Sequence, residues 1–320
     1  MTHMKKIAFL IILLVAVGTA KSQTATPMTK YAGNQLIYNP GFAGAHDLFS
    51  ANLSMRTLWT GVPGSPRLIS FNMHAPFIDQ RNALGFIYQR EEFGPQIVNL
   101  VNMTYAYKFH TGHHSFISLG VQAGLFNSIT DWAMVEYIRH PQDPANGRGE
   151  RLRTNAFDMG FGIYFQTENF YIGASGRHLT SPRFDEITLR DNGIATTVQS
   201  HTARQFFLMG GYNFVLSDDF DLRPRFLMRY KYGMPLAVNA GIELVYLNRF
   251  GIGTNFASGQ RAVSIMASIE LFEGLRVSYA FDMNFGVLRP FQRGSHEILI
   301  SYSTHVWTRH NDINIRRNWQ

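Results

Sequence analysis

The sequence predicts an all-β protein: a transmembrane antiparallel up-and-down β-barrel of about 14 strands, with long extracellular loops and short periplasmic turns. Three observations predict it. The chain opens with an export signal, apolar and polar residues alternate with period two in segment after segment, and short connections alternate with long ones.

The signal comes first. Lys5 and Lys6 precede an apolar run, Ile7 to Ala20, interrupted only by Gly18 and Thr19. Ala20-Lys21-Ser22 then offers small residues at both positions that a signal peptidase reads. The run is shorter than the roughly 20 apolar residues a helical span needs, so residues 1–22 read as a signal peptide cut after Ser22. The chain has no Cys, which excludes a lipoprotein anchor, disulfides and thiolate metal sites. Of the formal charge of +7, three lysines (Lys5, Lys6, Lys21) belong to this leader; without them 26 basic residues face 22 acidic ones. That excess is too small to argue for nucleic acid. Scattered arginines facing a lumen or lipid phosphate account for it.

The strands follow in order. In 47–57, Phe49, Ala51, Leu53 and Met55 alternate with Ser50, Asn52, Ser54 and Arg56. Strands are then expected over 66–75, 83–90 and 96–109. In 115–127, Ile117, Leu119, Val121, Ala123 and Leu125 alternate with Ser118, Gly120, Gln122 and Gly124. Further strands are expected over 155–166, 169–179, 205–216, 221–230, 237–246 and 249–255. In 261–271, Val263, Ile265, Ala267, Ile269 and Leu271 share one face, and in 275–281 Leu275, Val277, Tyr279 and Phe281 do the same. The last strand, 295–303, sets Ile298, Ile300 and Tyr302 against Glu297, Leu299 and Ser301.

Alternation puts one face in an apolar medium and the other in a polar one. A soluble sandwich would bury the apolar face against a second sheet. Segments of about 9 to 13 residues suit a tilted bilayer crossing better than the usual 5 or 6 of a soluble strand. The second face also carries Arg, Glu, Asp and Asn, which a sandwich core would not tolerate. Connection lengths agree. The turns at 80–82, 110–114, 167–168, 217–220, 247–248 and 272–274 are short, while the opposite set includes the insertions 128–154, 180–204 and 282–294. An even strand count puts both chain termini in the periplasm. The layout expected is a signal peptide over 1–22, a periplasmic segment over 23–46, the barrel over 47–303 and a basic periplasmic tail over 304–320 carrying Arg309, Arg316 and Arg317.

From Tyr38-Asn39-Pro40-Gly41-Phe42-Ala43-Gly44 onward the sequence resembles the PorP/SprF family of type IX secretion system membrane proteins. Arg56-Thr57-Leu58-Trp59-Thr60-Gly61-Val62-Pro63-Gly64-Ser65-Pro66 resembles that family's Arg, Trp, Gly and Pro signature. Matches continue in order through Phe93-Gly94-Pro95, Tyr105-Ala106-Tyr107, Gly120 to Gly124, Asp143-Pro144, Phe170 to Leu179, Gly211-Tyr212-Asn213-Phe214 and Gly294-Ser295-His296-Glu297-Ile298, spanning about 31 to 303. The resemblance marks Asn39, Pro40, Gly44, Arg56, Trp59, Gly61, Pro66, Gly294, Ser295, His296 and Glu297 as motif residues. It implies an outer-membrane component that supports export or surface anchoring of proteins with a C-terminal secretion domain. Its partners would be such a cargo or a large gliding-type adhesin, periplasmic ring components and lipid, with no nucleic acid, no cofactor and no catalysis.

Read without the resemblance, Asn39-Pro40 is a turn before the first strand, or else a periplasmic contact or plug below the barrel. Trp59 is an aromatic-belt or loop-packing residue, and His296-Glu297 suggests a hydrogen bond at the rim. The 128–154 insertion carries Trp132, Tyr137, Arg139, Arg148, Arg151 and Arg153, the residue types that protein contacts favour. His110, His113 and His114 cluster without a positioned carboxylate and read as solvated. The Gly-x-Gly pairs at 160–162 and 251–253 lack a nucleotide loop's strand-to-helix setting and read as small residues inside strands. No Gly-x-Ser-x-Gly occurs. The alternative function is passive transport of small hydrophobic solutes.

Overall fold

The computed structural model describes residues 28–112, 114–131, 151–191, 194–286 and 289–305. The strands are β1 (Phe49–Thr57), β2 (Arg67–Pro76), β3 (Asn82–Phe93), β4 (Gln96–Gly112), β5 (Ser115–Asp131), β6 (Arg151–Gln166), β7 (Phe170–Arg177), β8 (Arg183–Asp191), β9 (Ile194–His201) and β10 (Gln205–Tyr212). They continue with β11 (Phe214–Val215), β12 (Phe220–Lys231), β13 (Ala237–Tyr246), β14 (Phe250–Ala257), β15 (Ala262–Phe272), β16 (Leu275–Asn284) and β17 (Ser295–Thr304). β8 and β9 pair only with each other, and β11 continues β10 past Asn213. The rest form one antiparallel sheet in which β1 pairs with β17 and β10 with β12. The sheet therefore closes into a barrel of 14 strands, and closure leaves no long edge exposed.

The faces are inverted relative to a soluble protein. Along β5, Leu119, Val121 and Leu125 are exposed while Ser118 and Gln122 are buried. Along β6, Phe157, Met159, Phe161 and Ile163 face out and Asp158 and Tyr164 face in. Apolar groups outside and hydrogen-bonding groups inside is the arrangement that lipid selects. No helix among the described residues is long and apolar enough to cross a membrane.

The two ends of the barrel differ. At one end tight turns join the strands, as at Asn248 and at Glu273-Gly274. The 77–81 turn at that end is held by Asp79, whose carboxylate accepts from the backbone N–H groups of Arg81 and Asn82. Those bonds, the Asn82 N–H foremost, keep its pKa below the usual carboxylate value. The other end carries the longer connections, including 58–66 and 285–294.

Two loops differ from expectation. The ladder of β5 and β6 runs on to Asp131 opposite Arg151, so strand replaces both ends of the expected 128–154 loop. The alternation persists there: Ser128 and Thr130 are buried like Ser118 and Gln122 below them. The expected 180–204 loop contains the β8–β9 hairpin.

Residues 28–46 lie within the barrel, whereas the expected layout put 23–46 in the periplasm. They contact β1, β2, β4, β6, β7, β13, β16 and β17 by hydrogen bonds. A segment that reaches strands around the whole circumference can do so only from the lumen. Met28, Tyr31, Leu36, Ile37, Tyr38 and Phe42 form a core there with Tyr164, Tyr171, Phe207 and Leu227. The apolar centre of the barrel is thus shared between its own N-terminal segment and an apolar patch of the inner wall.

Candidate functional site

The plug is built from short turns, with a 3-10 turn at Tyr31–Asn34, one helical turn at Gln35–Tyr38 and a second 3-10 turn at Pro40–Phe42. Asn39 caps the last of these by accepting from Gly41 N at 2.8 Å. Its amide donates to the Ile163 carbonyl of β6 at 2.9 Å. Pro40 supplies the fixed φ of a first turn position and leaves no N–H unsatisfied. The wall gives way at this point. A Cβ on Gly120 would stand 2.2 Å from the Pro40 carbonyl carbon, and one on Gly162 would stand 2.1 Å from the Asn39 side-chain oxygen. These two glycines face each other on β5 and β6, so together they form the notch in which Asn39-Pro40 sits. Ser175 of β7 donates to the Tyr38 carbonyl at 2.5 Å.

Downstream, Gly44 turns the chain toward β1 at φ 70°. Its carbonyl accepts from Lys108 Nζ at 2.7 Å, and Lys108 also pairs with Asp47.

A second cluster holds the start of the plug. Arg56 of β1 faces in and is buried. Its Nη1 donates to Glu297 Oε2 of β17 and to Thr29 Oγ1, both at 2.6 Å. Its Nη2 donates to Asp282 Oδ2 of β16 at 2.6 Å and to Gln260 Oε1 at 3.0 Å. Glu297 accepts in addition from the backbone N–H groups of Thr29 and Lys30, at 2.7 and 3.0 Å. The register places Arg56 opposite Glu297 across the closure seam. One guanidinium therefore joins the first strand, the last two strands and the plug. Two carboxylates with at most 2 % of their side chains exposed need such a partner.

The motif residues divide between these clusters and the loops above them. Asn39, Pro40 and Gly44 belong to the plug, Arg56 and Glu297 to the seam. Trp59 N donates to Ser295 Oγ at 3.1 Å, and Thr60 N donates to the Gly294 carbonyl at 2.9 Å. Pro66 accepts from Leu58 N across the foot of the first loop, and Gly61 stands at the crest of that loop at φ 96°. His296 points away from the lumen and shares a hydrogen bond with the Tyr279 hydroxyl at 2.7 Å. The adjacent pair His296-Glu297 is thus split between the two faces of β17.

The candidate partner residues are not gathered in this way. Trp132, Tyr137, Arg139 and Arg148 fall outside the described residues. Arg151 and Arg153 are exposed and have the parity of Phe157, Met159 and Phe161, so they continue the outer face of β6 above its apolar band. His110 and His114 are exposed, His113 falls outside the described residues, and no metal-holding group of His, Asp or Glu occurs among those described. The tail from 306 onward also falls outside.

Sequence reasoning missed Thr29, Lys30, Lys108, Glu243 and Asp282. Lys108, Glu243 and Asp282 each occupy the polar parity of an alternating strand, which was a usable signal. Nothing in the local pattern of Thr29 or Lys30 marks either residue.

A family model described as "Type IX secretion system membrane protein PorP/SprF" matches residues 20–302. No curated protein matches the chain. Among solved structures, the Ralstonia pickettii toluene transporter TbuX is similar at a TM-score of 0.52 and 12% identity, covering 84% of this chain and 92% of its own. The Pseudomonas putida toluene transporter TodX gives 0.49 and 11%, covering 91% and 97%. A Pseudomonas aeruginosa FadL homologue gives 0.48 and 11%, covering 89% and 95%. At such identities the likeness to TbuX speaks to the barrel fold and to nothing else.

Proposed function

The chain belongs to the PorP/SprF family of type IX secretion system membrane proteins, and is thus an outer-membrane component of that system; from that premise we propose that it is a non-conducting docking barrel. It supports export or surface anchoring of a protein with a C-terminal secretion domain, by binding and without catalysis. The observation that carries this reading is the plug. Residues 28–46 fill the lumen and are hydrogen-bonded to strands on every side, so cargo has no path through it and must meet a surface.

The long-loop end is the surface proposed to meet cargo, facing the cell exterior. The short-turn end is proposed to face the periplasm and the ring components of the system, with residues 1–22 removed as a signal peptide. The segment that begins at Trp132, with Tyr137, Arg139 and Arg148, is proposed to contact the cargo, for instance a gliding-type adhesin. Passive transport of small hydrophobic solutes finds less support, because the inward faces carry buried Arg, Asp, Glu, Asn and Ser, and the apolar centre is already occupied.

An affinity pull-down from detergent-solubilised outer membrane, with mass spectrometry of what co-purifies, tests the proposal. Recovery of one large surface protein with a C-terminal secretion domain supports a dedicated cargo barrel. Recovery of periplasmic ring proteins without a single cargo supports a core role. Recovery of neither overturns the docking reading and returns the solute transporter to first place.

A further inference from the structure

A small cavity of about 50 Å³, partly open to solvent, lies between the start of the plug and the inward faces of β12 to β17. Lys30, Arg223, Arg225 and Arg276 line it, and the one carboxylate among its lining residues is Glu243. Two of these cations have carboxylates of their own: Arg223 pairs with Asp221 at 3.0 Å and Arg276 with Glu270 at 3.2 Å. Lys30 and Arg225 share Glu243, at 3.3 and 3.4 Å, and Glu243 also accepts from Ser268 at 3.1 Å. Four cations against three carboxylates leave one positive charge in excess.

The excess sits at Arg225. Its side chain is 10% exposed, and its Nε and Nη2 are buried without a protein hydrogen-bond partner. The amide of Asn255, in a residue 1% exposed, has no protein partner at either atom. Arg225, Gly241 and Asn255 occupy one rung of the ladder across β12, β13 and β14. Because the middle residue has no side chain, Arg225 and Asn255 can reach the same point in the lumen. A buried guanidinium with two free N–H groups is costly to leave unpaired, and its planar fork matches the two oxygens of a carboxylate or phosphate.

We infer that this cavity binds one oxyanion, a carboxylate or a phosphate. Arg225 Nε and Nη2 grip it in bidentate fashion, Asn255 donates from the side, and Lys30 adds charge. Met266 and Leu299 supply an apolar wall for a short attached group. The ligand enters from the short-turn end. Arg223 and Arg276 are both tied to Asn248 in the β13–β14 turn, and a rim depression lined by Leu48, Asn248, Glu270 and Gly274 adjoins that turn. The site does not depend on which cargo the barrel serves.

The test uses the full-length protein in detergent. Isothermal titration and thermal unfolding are followed with inorganic phosphate, with acetate, and with a short peptide bearing either a free or an amidated C-terminus. Sodium chloride at matched ionic strength is the reference. Binding above the chloride background is expected. It should fall at least about tenfold in Arg225→Gln, which removes the charged fork, and tighten in Glu243→Gln, which removes the competing carboxylate. Arg153→Gln, on the outer face, should leave it unchanged. A response to acetate and to the free peptide but not its amide identifies a carboxylate ligand, and a response to phosphate alone identifies a phosphorylated one. No binding above chloride, or equal binding in wild type and Arg225→Gln, overturns the inference. Should Arg225→Gln fail to fold, unaltered affinity in Glu243→Gln overturns it on its own.

Discussion

Arg56 carries more of the barrel's integrity than any exposed ion pair can. Its two charged partners are buried, both at 2.6 Å, and both lie on strands that close the sheet. Replacing it with Met would leave Asp282 and Glu297 facing each other without a cation. Removing one partner of a buried ion group typically costs about 3–5 kcal/mol. Arg56→Met is therefore expected to lower the unfolding free energy, read from urea titration of folded detergent samples, by that amount. Arg90→Met, whose pair with Glu92 is more than a third exposed on both sides, should change the unfolding free energy by less than about 1 kcal/mol. If both variants unfold with the wild type, the seam cluster is not holding the barrel. Lipid-facing residues give the complementary case. Val121→Arg places a charge in the apolar band of β5 and is expected to cost about 2–4 kcal/mol. The native Arg153, beyond that band on β6, can be changed to Leu at little cost. Unfolding in vesicles of defined chain length would read both.

At the scale of elements, the plug and its notch form a matched pair that can be separated. Gly162→Val would drive side-chain atoms into the space of the Asn39 oxygen while leaving the β5–β6 ladder intact. The expected result is a closed barrel with a displaced plug. Because the protein has no native cysteine, a single Cys at Ala43 reports on this without background. Ala43 is fully buried, so its thiol should resist maleimide in the parent and label in the Gly162→Val background. Equal protection in both would mean that the plug is held elsewhere. This pairing also marks the limit of what the sequence discloses. Strands such as β5 and β15 were legible because alternation is a local signal that lipid enforces along the whole strand. The inward residues Arg56 and Glu297 stood in conspicuous motifs, yet their mutual contact depends on closure between residues 241 positions apart. Gly160-Phe161-Gly162 read as a small-residue stretch; that one of its glycines makes room for Asn39-Pro40 is a tertiary fact with no local trace. The extensions of β5 to Asp131 and of β6 back to Arg151 escape the sequence for a smaller reason. Beyond the apolar band the outer face becomes polar, as at Arg151 and Arg153, and the alternation loses its contrast.

For the molecule as a whole the question is whether the lumen conducts. A 14-stranded barrel without filling would enclose a passage, since diameter grows with strand number. Here the N-terminal segment runs from the seam cluster at Thr29 to Asp47 beside Lys108 and shares the apolar centre with inward-facing wall residues such as Ile87, Tyr164, Tyr171 and Leu227. The wall and the plug are stabilised by the same contacts: Glu297 accepts from Arg56 of the wall and from Thr29 and Lys30 of the plug. Opening the lumen therefore requires breaking wall contacts as well, which favours a fixed seal over a gate. In planar bilayers the full-length protein is expected to hold the membrane near its baseline conductance. A variant lacking residues 29–43 but keeping the Gly44–Leu48 lead into β1 should raise single-insertion conductance about tenfold or more if the barrel persists. Circular dichroism and gel mobility of unheated samples would establish that it does. Steady conductance from the intact protein would mean that the segment leaves the lumen in a bilayer, and the docking-barrel reading would then lose the observation it rests on.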